Sequence, residues 1–501
     1  MTSSLPHSRQ RSATRRPDSA PSNDGGGTGT SGAGTSGTAP HGRGSDASVT
    51  SGAPRLILVD DNIRSIGGHF FELATLLIDG AQSMGYQCVL ATHHSFQETK
   101  SVPPSCQTVP IFQTRRMVRW SLGVDGQSKV QRNVSGKPIG GSRLQNLQTS
   151  LADWINPPTK RPANMIAQWS SDFVRLMQQI QPTSADSLVI NTCDDFAMLA
   201  LADAVSKIDL PAMRIDVIFH FAAYENDTAD RKSILQSIGR QLRDTIQRIQ
   251  PHQVHLHATT TALASQLRET DCGCPVLSIP YPTRQRRVAV PSTHPSVKAV
   301  FAGLPRAEKG RGSISSLISG IESTLLKSGR IQLSMQMPAD RWESMIPASM
   351  HRHYHQAVAA TDQGGPVTGP LEIMTSNLST TDYHRWLDTA DLGLFLYDPQ
   401  RYVARCSGVL LEMLVRGVPV IVPDGCWLAD QVRLAGGHRS IGFIYQDRAE
   451  IPELIQQFVK HRADIQARSI AHAQKVARHH HAANTLQVMG LPTVVDQAQA
   501  A

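Results

Sequence analysis

The chain predicts an α/β protein built from two doubly wound parallel sheets in tandem, and three observations carry that class. Short apolar runs bounded by Gly, Pro or Asp alternate with longer amphipathic stretches from residue 55 to about 480. The alternation is interrupted once, by the Pro-rich and polar residues 282–296, which mark a domain boundary. At 501 residues the chain is also too long for one ordinary core. Hydrophobic residues at 40% and charged residues at 18% are normal for a soluble globular protein. No run of about 20 apolar residues is present to span a membrane.

The first domain, 54–285, is predicted to open with a strand over Arg55–Val59 and a helix from His69 to Met84. Gly85 stops that helix, and Gln87–Thr92 supplies the next strand, completing a β-α-β unit. A third strand over Gln107–Phe112 precedes a basic insertion, 113–165. A helix is expected over Ala163–Gln179, then strands over Ser187–Asn191, Arg214–His220, Gln253–Ala258 and Val276–Ile279. Helices ending at Ala204 and covering Ala229–Ile249 and Thr261–Glu269 separate these strands. The second domain, 296–485, is predicted to place strands near Val297–Gly303, Ile331–Met335, Leu371–Met374, Leu392–Tyr397, Val418–Val422 and Ile441–Tyr445. One long final helix is expected over Pro452–His481. Ligands of such sheets bind outside the carboxyl edges of the strands, which directs attention to a cleft between the two domains.

Residues 1–53 are rich in Ser, Gly, Thr and Pro, with almost no large apolar side chains, and predict a disordered tail. Arg15-Arg16 is followed by no apolar core, so it does not read as an export signal. The net charge of +8 is uneven: the window 113–175 holds ten basic residues against three aspartates, together with Trp120, Trp154 and Trp169. Such a segment faces an anionic membrane surface or an anionic acceptor, or is a solvated loop with its Trp residues plugged into the core. No nucleic-acid motif accompanies the charge. The seven cysteines are scattered without metal spacing, and reduced thiols in a cytoplasmic enzyme, at most peripheral to the membrane's inner face, are expected.

The stretch Tyr402–Trp427 is the most informative. A polar turn, Arg405, Ser407 and Gly408, runs into the apolar-periodic Val409–Val415; Gly417 then breaks the helix before a buried strand. Free backbone amides and the helix dipole at such a start favour a phosphate by roughly 0.3–1 kcal/mol, or about 2 when partly buried. Glu412, one turn on, can accept from ribose hydroxyls. Three further loops face the same cleft. Gly67 and Gly68 allow close backbone approach before His69, which opens a helix. His220 ends a strand, with Tyr224 and Glu225 behind it. Arg306 and Lys309, in Gly303–Gly310, pair a bidentate cation with a point charge suited to a diphosphate. The glycine pair is not GxGxxG, and Ala91–His94 supplies no acid, which argues against a dinucleotide-dependent dehydrogenase.

These patches resemble the GT-B glycosyltransferases, most closely the retaining family-4 type, whose fold is two Rossmann-like domains facing a cleft. Gly67-Gly68 through Leu73-Ala74 resembles their first loop and helix. Arg306 with Lys309-Gly310 resembles their R…KG loop, Glu412 with Gly417–Ile421 their acidic helix and G-x-P-V-I, and Ser278–Pro282 their interdomain turn. The resemblance implies a nucleotide-diphosphate sugar as donor, a glycan or lipid-linked acceptor, and neither cofactor nor metal. Arg306 and Lys309 would stabilise the departing diphosphate, whose own oxygen would deprotonate the acceptor. Ser407, Gly408 and Glu412 would hold the nucleotide, and His220 the sugar or acceptor. Two departures stand out: Ala404 occupies the position of the family's first Glu, eight residues before Glu412, and the spacing from Arg306 to Lys309 is short. A GT-B nucleotide-sugar 2-epimerase and a non-catalytic sugar-nucleotide or glycan-binding scaffold are the alternatives. Asp60 and Asp61 read as turn caps, and the clusters His351–His355 and His479–His481 as surface.

Overall fold

The computed structural model describes residues 53–66, 69–103, 105–115, 120, 162–224, 231–286, 288, 294–337, 340–364, 367–376 and 378–494. The expected tail, Gly67, Gly68, Glu225 and most of the basic window lie outside these residues. All described residues fall within one compact unit, Ser51–Ala501.

Thirteen strands among the described residues form two all-parallel sheets. The first takes the order β3-β2-β1-β4-β5-β6-β7, where β1 is Arg55–Asp60, β2 Gln87–His93, β3 Cys106–Phe112, β4 Ser187–Cys193, β5 Arg214–Phe219, β6 Gln253–Ala258 and β7 Val276–Ser278. The second takes β10-β9-β8-β11-β12-β13, where β8 is Val297–Phe301, β9 Ile331–Gln336, β10 Leu371–Met374, β11 Leu392–Leu394, β12 Val420–Pro423 and β13 Gly442–Tyr445. Helices cover both faces, so a strand such as β4 is buried at every position, and its apolar Leu188–Ile190 run without alternation. Strand order reverses between β1 and β4, and again between β8 and β11. These are the two switch points where crevices open at the carboxyl edges.

The predicted elements recur with small shifts, and two differences have clear causes. The strand expected from Val418 starts at Val420. The Val418 amide bonds to Met413 O to close the preceding helix, and Pro419 has no amide to give. Gly417 adopts φ 74°, and a Cβ there would lie 2.9 Å from the Ile470 Cα, so glycine is required on both counts.

The single final helix is instead two, Ile451–Lys460 and Arg462–His479, and a further helix, Ala482–Met489, follows them. His461, at φ −114° and ψ 23°, turns the chain. Arg462 pins the turn through Asp391 at 2.7 Å and the His294 carbonyl at 2.7 Å. The last helix, inside which the expected boundary at 485 falls, returns to the first domain. A Cβ on Gly80 would lie 2.8 Å from Ala482. Tyr86 donates to Pro492 O at 2.9 Å, and Arg214 to Gly490 O at 3.1 Å. His480 is therefore not a surface residue: it is buried, with Nδ1 2.7 Å from Tyr281 O. Thr485 likewise donates to Pro280 O at 2.9 Å. The interdomain connection and the C-terminal strap thus run together, and one apolar cluster continues from Leu56 and Leu58 through Tyr281 to Leu410 and Leu411.

Candidate functional site at the interdomain cleft

The switch point of the second sheet brings two loops together. After β8 the chain forms a 3-10 turn over Ala307–Lys309, with Lys309 N on Arg306 O at 3.0 Å. Three residues make one turn of that helix, so Arg306 and Lys309 come into line on the same side. The short spacing between them is the spacing this turn requires. Gly310 follows at φ 79°, and a Cβ there would sit 2.2 Å from the Leu396 carbonyl, which locks the loop against β11. Asp398 N bonds to Glu308 O at 2.9 Å and joins the same two loops.

Arg306 is 66% exposed, with Glu308 4.0 Å away. Lys309 lies with its ammonium 5.4 Å from the centre of the Tyr397 ring. Among the described residues no carboxylate comes within 4.0 Å of it, and burial first, then Arg306, pushes its pKa down. A half-buried ammonium with no carboxylate in reach among the described residues is electrostatically prepared for an anion.

After β11 the helix Gly408–Val415 begins at Ser407, whose backbone is extended and whose Oγ accepts from Leu410 N at 3.3 Å. The Ser407 hydroxyl is therefore engaged as the helix cap. The Gly408 and Val409 amides, one turn too early for a carbonyl within the helix, remain the donors for a ligand. A Cβ on Gly408 would meet only Tyr281 Cε1, at 3.7 Å. Glu412 accepts from the Tyr383 hydroxyl at 3.0 Å. Burial pushes its carboxyl up to about 7 against the opposing pull of Tyr383 and Arg416. Arg416 itself is buried and holds the helix end through Asp388 at 2.7 Å and the Glu412 carbonyl at 2.7 Å.

The first domain supplies the facing wall. His69, exposed to the cleft at the start of the helix His69–Ser83, lies near the cations of the other wall. Loss of solvent, then Arg405, Arg306 and Lys309, push its pKa down to about 4. His220 follows β5 and is buried, with Nε2 2.7 Å from Asn191 O. A carbonyl only accepts, so Nε2 carries the proton and Nδ1 of the neutral ring is an acceptor. Burial holds this ring near 4 as well, with His69 and Arg405 contributing. Tyr281 lies between His220, 6.0 Å from it edge-on, and Gly408.

At the first sheet's switch point Asp60 receives Asn62 N at 3.0 Å, as the turn-cap reading expects. It also receives Asn191 Nδ2 at 2.8 Å and Thr192 Oγ1 at 2.7 Å. Burial, then Asp61, raises its pKa to about 6.

The structure thus gathers His69, Arg306, Lys309, Ser407, Gly408 and Glu412 around one cleft, with His220 in its wall. Sequence reading missed Tyr281, Tyr383 and the full place of Arg405. Of these Arg405, inside the polar turn, and Tyr281, inside the Ser278–Pro282 turn, carried a signal. Tyr224 turns instead beneath Arg231, whose guanidinium is 4.6 Å from its ring. In the basic window, Trp120 stacks on Phe219 at 5.1 Å and donates to Phe221 O at 3.0 Å, and Trp169 is fully buried. Trp169 is a core residue, and Trp120 packs against the core while partly exposed. No helix of the described residues is long and apolar enough to cross a membrane.

No family model matches the chain, and no curated protein matches it. Solved structures do. The sucrose-phosphate synthase of Thermosynechococcus elongatus superimposes with a TM-score of 0.52 at 12% identity, over 89% of this chain and 99% of that one. The trehalose-6-phosphate synthase OtsA gives 0.51 at 11% identity, over 87% of this chain and 99% of its own. HepE of Anabaena, solved with UDP, gives 0.50 at 10% identity, over 89% of this chain and 100% of its own. At such identities the likeness establishes architecture. The chain has the GT-B fold, two Rossmann-like domains of parallel sheet facing one cleft, as in the glycosyltransferases on which it superimposes.

Proposed function

We propose that this chain is a glycosyltransferase that moves a sugar from a nucleoside-diphosphate donor to an acceptor hydroxyl, with retention. The observation that carries the reading is the convergence of Lys309, Arg306 and the Gly408 helix start with Glu412 at one switch point. Two cations and free amides suit a diphosphate, and a carboxyl one turn further along suits ribose hydroxyls. That HepE was solved with UDP supports a nucleotide in a cleft of this architecture.

Retention is favoured by the facing wall. His69 and His220 are held near 4, so each is a weak base for an acceptor hydroxyl at neutral pH. The leaving diphosphate would then be the base, as the resemblance to retaining enzymes implies. Arg306 and Lys309 would stabilise charge that develops on it as the sugar departs, an effect that commonly contributes about 10²–10³ in rate per donor. The acceptor belongs to the first-domain wall, and a glycan or lipid-linked acceptor remains the class proposed.

A thermal-shift screen against UDP, GDP, ADP, TDP and CMP and their sugars tests the reading. Saturation at about 100 times Kd adds about 2.7 kcal/mol. A shift selective for one base, and lost in Lys309→Ala, is expected. No shift with any nucleotide from a folded chain would overturn the donor site. Binding without transfer or hydrolysis of the sugar would identify a scaffold.

A further inference from the structure

Arg405 is a further cation at the cleft, outside the Arg306–Lys309 pair assigned to the donor diphosphate. It follows Ala404, which is fully buried, packs in the first domain's core and accepts from Thr260 Oγ1 at 3.0 Å. Val403 packs against the same core, and Tyr402 O accepts from Trp427 N at 3.0 Å. The loop is therefore anchored on both domains, and Arg405 is positioned by packing rather than left to solvent. Its guanidinium lies 4.5 Å from the Phe221 ring centre and 5.9 Å from that of Tyr402. Contact with an aromatic face restrains the guanidinium while leaving its N–H groups able to donate. Among the described residues it has neither a carboxylate within 4.0 Å nor a hydrogen-bond partner, although it is half-buried.

Arg306, Lys309 and the helix start already match the charge of a diphosphate. A third cation, Arg405, acts on His69 and His220 across the cleft. A neutral sugar asks for mixed donors and acceptors. An all-donor planar fork fits an oxyanion. We propose that Arg405 binds a second anionic group, a carboxylate or phosphate on the transferred sugar or on the acceptor, in addition to the donor diphosphate. This rests on the donor-site reading above.

Calorimetric titration of the full chain with two matched pairs tests it. One pair is UDP-glucuronate against UDP-glucose. The other is glucose 6-phosphate against glucose at saturating UDP, and the ADP and GDP counterparts are run alongside. The anionic member of one pair is expected to bind roughly tenfold tighter or more, and the pair that shows it identifies which substrate carries the charge. Arg405→Gln, which keeps a stem over Phe221, is expected to bring that ratio within about threefold of unity. Should Arg405→Gln fail to fold, Arg405→Lys, which keeps the charge but loses the fork, is expected to lower the ratio at least about threefold. Equal affinities within both pairs while the nucleoside diphosphate itself binds overturn the assignment, as does a preference that survives both variants. Failure of every nucleoside diphosphate to bind overturns the donor site beneath it instead.

Discussion

The Thr260 hydroxyl donates to the Ala404 carbonyl at 3.0 Å, a bond between the two domains across 144 positions of sequence. It marks where the loop after β11 leaves its own domain and enters the core of the other. Position 404 is thereby a packing position, not a cleft-lining one.

Ala404→Glu, which would recreate the family's missing carboxylate, is expected to destabilise the chain rather than to raise activity. An unpaired carboxylate at a fully buried site costs on the order of 3–5 kcal/mol. Urea unfolding measures the cost; a variant of unchanged midpoint and higher turnover would show that the loop leaves the first domain's core.

Glu412 sets a pH dependence of stability. Its carboxyl titrates near 7 in the folded chain against an ordinary 4.5, so the folded state holds a proton that the unfolded state releases between these values. Its contribution to stability is therefore present at low pH and is lost as pH rises from 4.5 to 7. Glu412→Gln abolishes that slope. The stability of the variant relative to the parent should grow by about 1–3 kcal/mol from pH 5 to pH 8, while its nucleotide affinity falls at both. Denaturant midpoints at the two pH values decide the sign.

His69 reports on the charge of the cleft. Free of ligand its ring should stay neutral down to about pH 4. A bound diphosphate offsets Arg306 and Lys309 and adds negative charge beside the ring, so the pKa should rise by about one unit or more. An NMR titration of the ring protons with and without saturating nucleotide makes the comparison, and an unmoved pKa at saturation would place the phosphates elsewhere.

The loop of Lys309 depends on Gly310. Gly310→Ala combines a left-handed backbone with a Cβ 2.2 Å from a carbonyl, and should cost about 2 kcal/mol or more. Gly312→Ala, where nothing lies within 4 Å, should stay within about 0.5 kcal/mol. Thermal melts of the pair compare them at nearly the same place in the chain.

Much of this was legible locally. Continuous apolar runs read as buried parallel strands because helices cover both sheet faces. The Ser407–Gly408 helix start and the Arg306–Lys309 pair read as phosphate donors because caps and charge spacing are properties of a few consecutive residues. The break at His461 was not legible, since the helical period continues through it and only the pairing of Arg462 with Asp391, 71 positions away, turns the chain. His480, read as surface, is buried because the last helix crosses back to Tyr281, a contact that no periodicity contains.

The sequence by itself determined the α/β class, nearly all the strands and the candidate donor residues, since each depends on a short apolar run, a helical period or a few consecutive residues. Tertiary structure alone decided that Ala404 is buried in the opposite domain, that His220 holds its proton on Asn191, and that Arg405 stands over Phe221 beside the proposed phosphates. Those outcomes come from packing between segments more than a hundred residues apart in most cases, where burial and neighbouring charge, not local propensity, set each side chain's place and its proton.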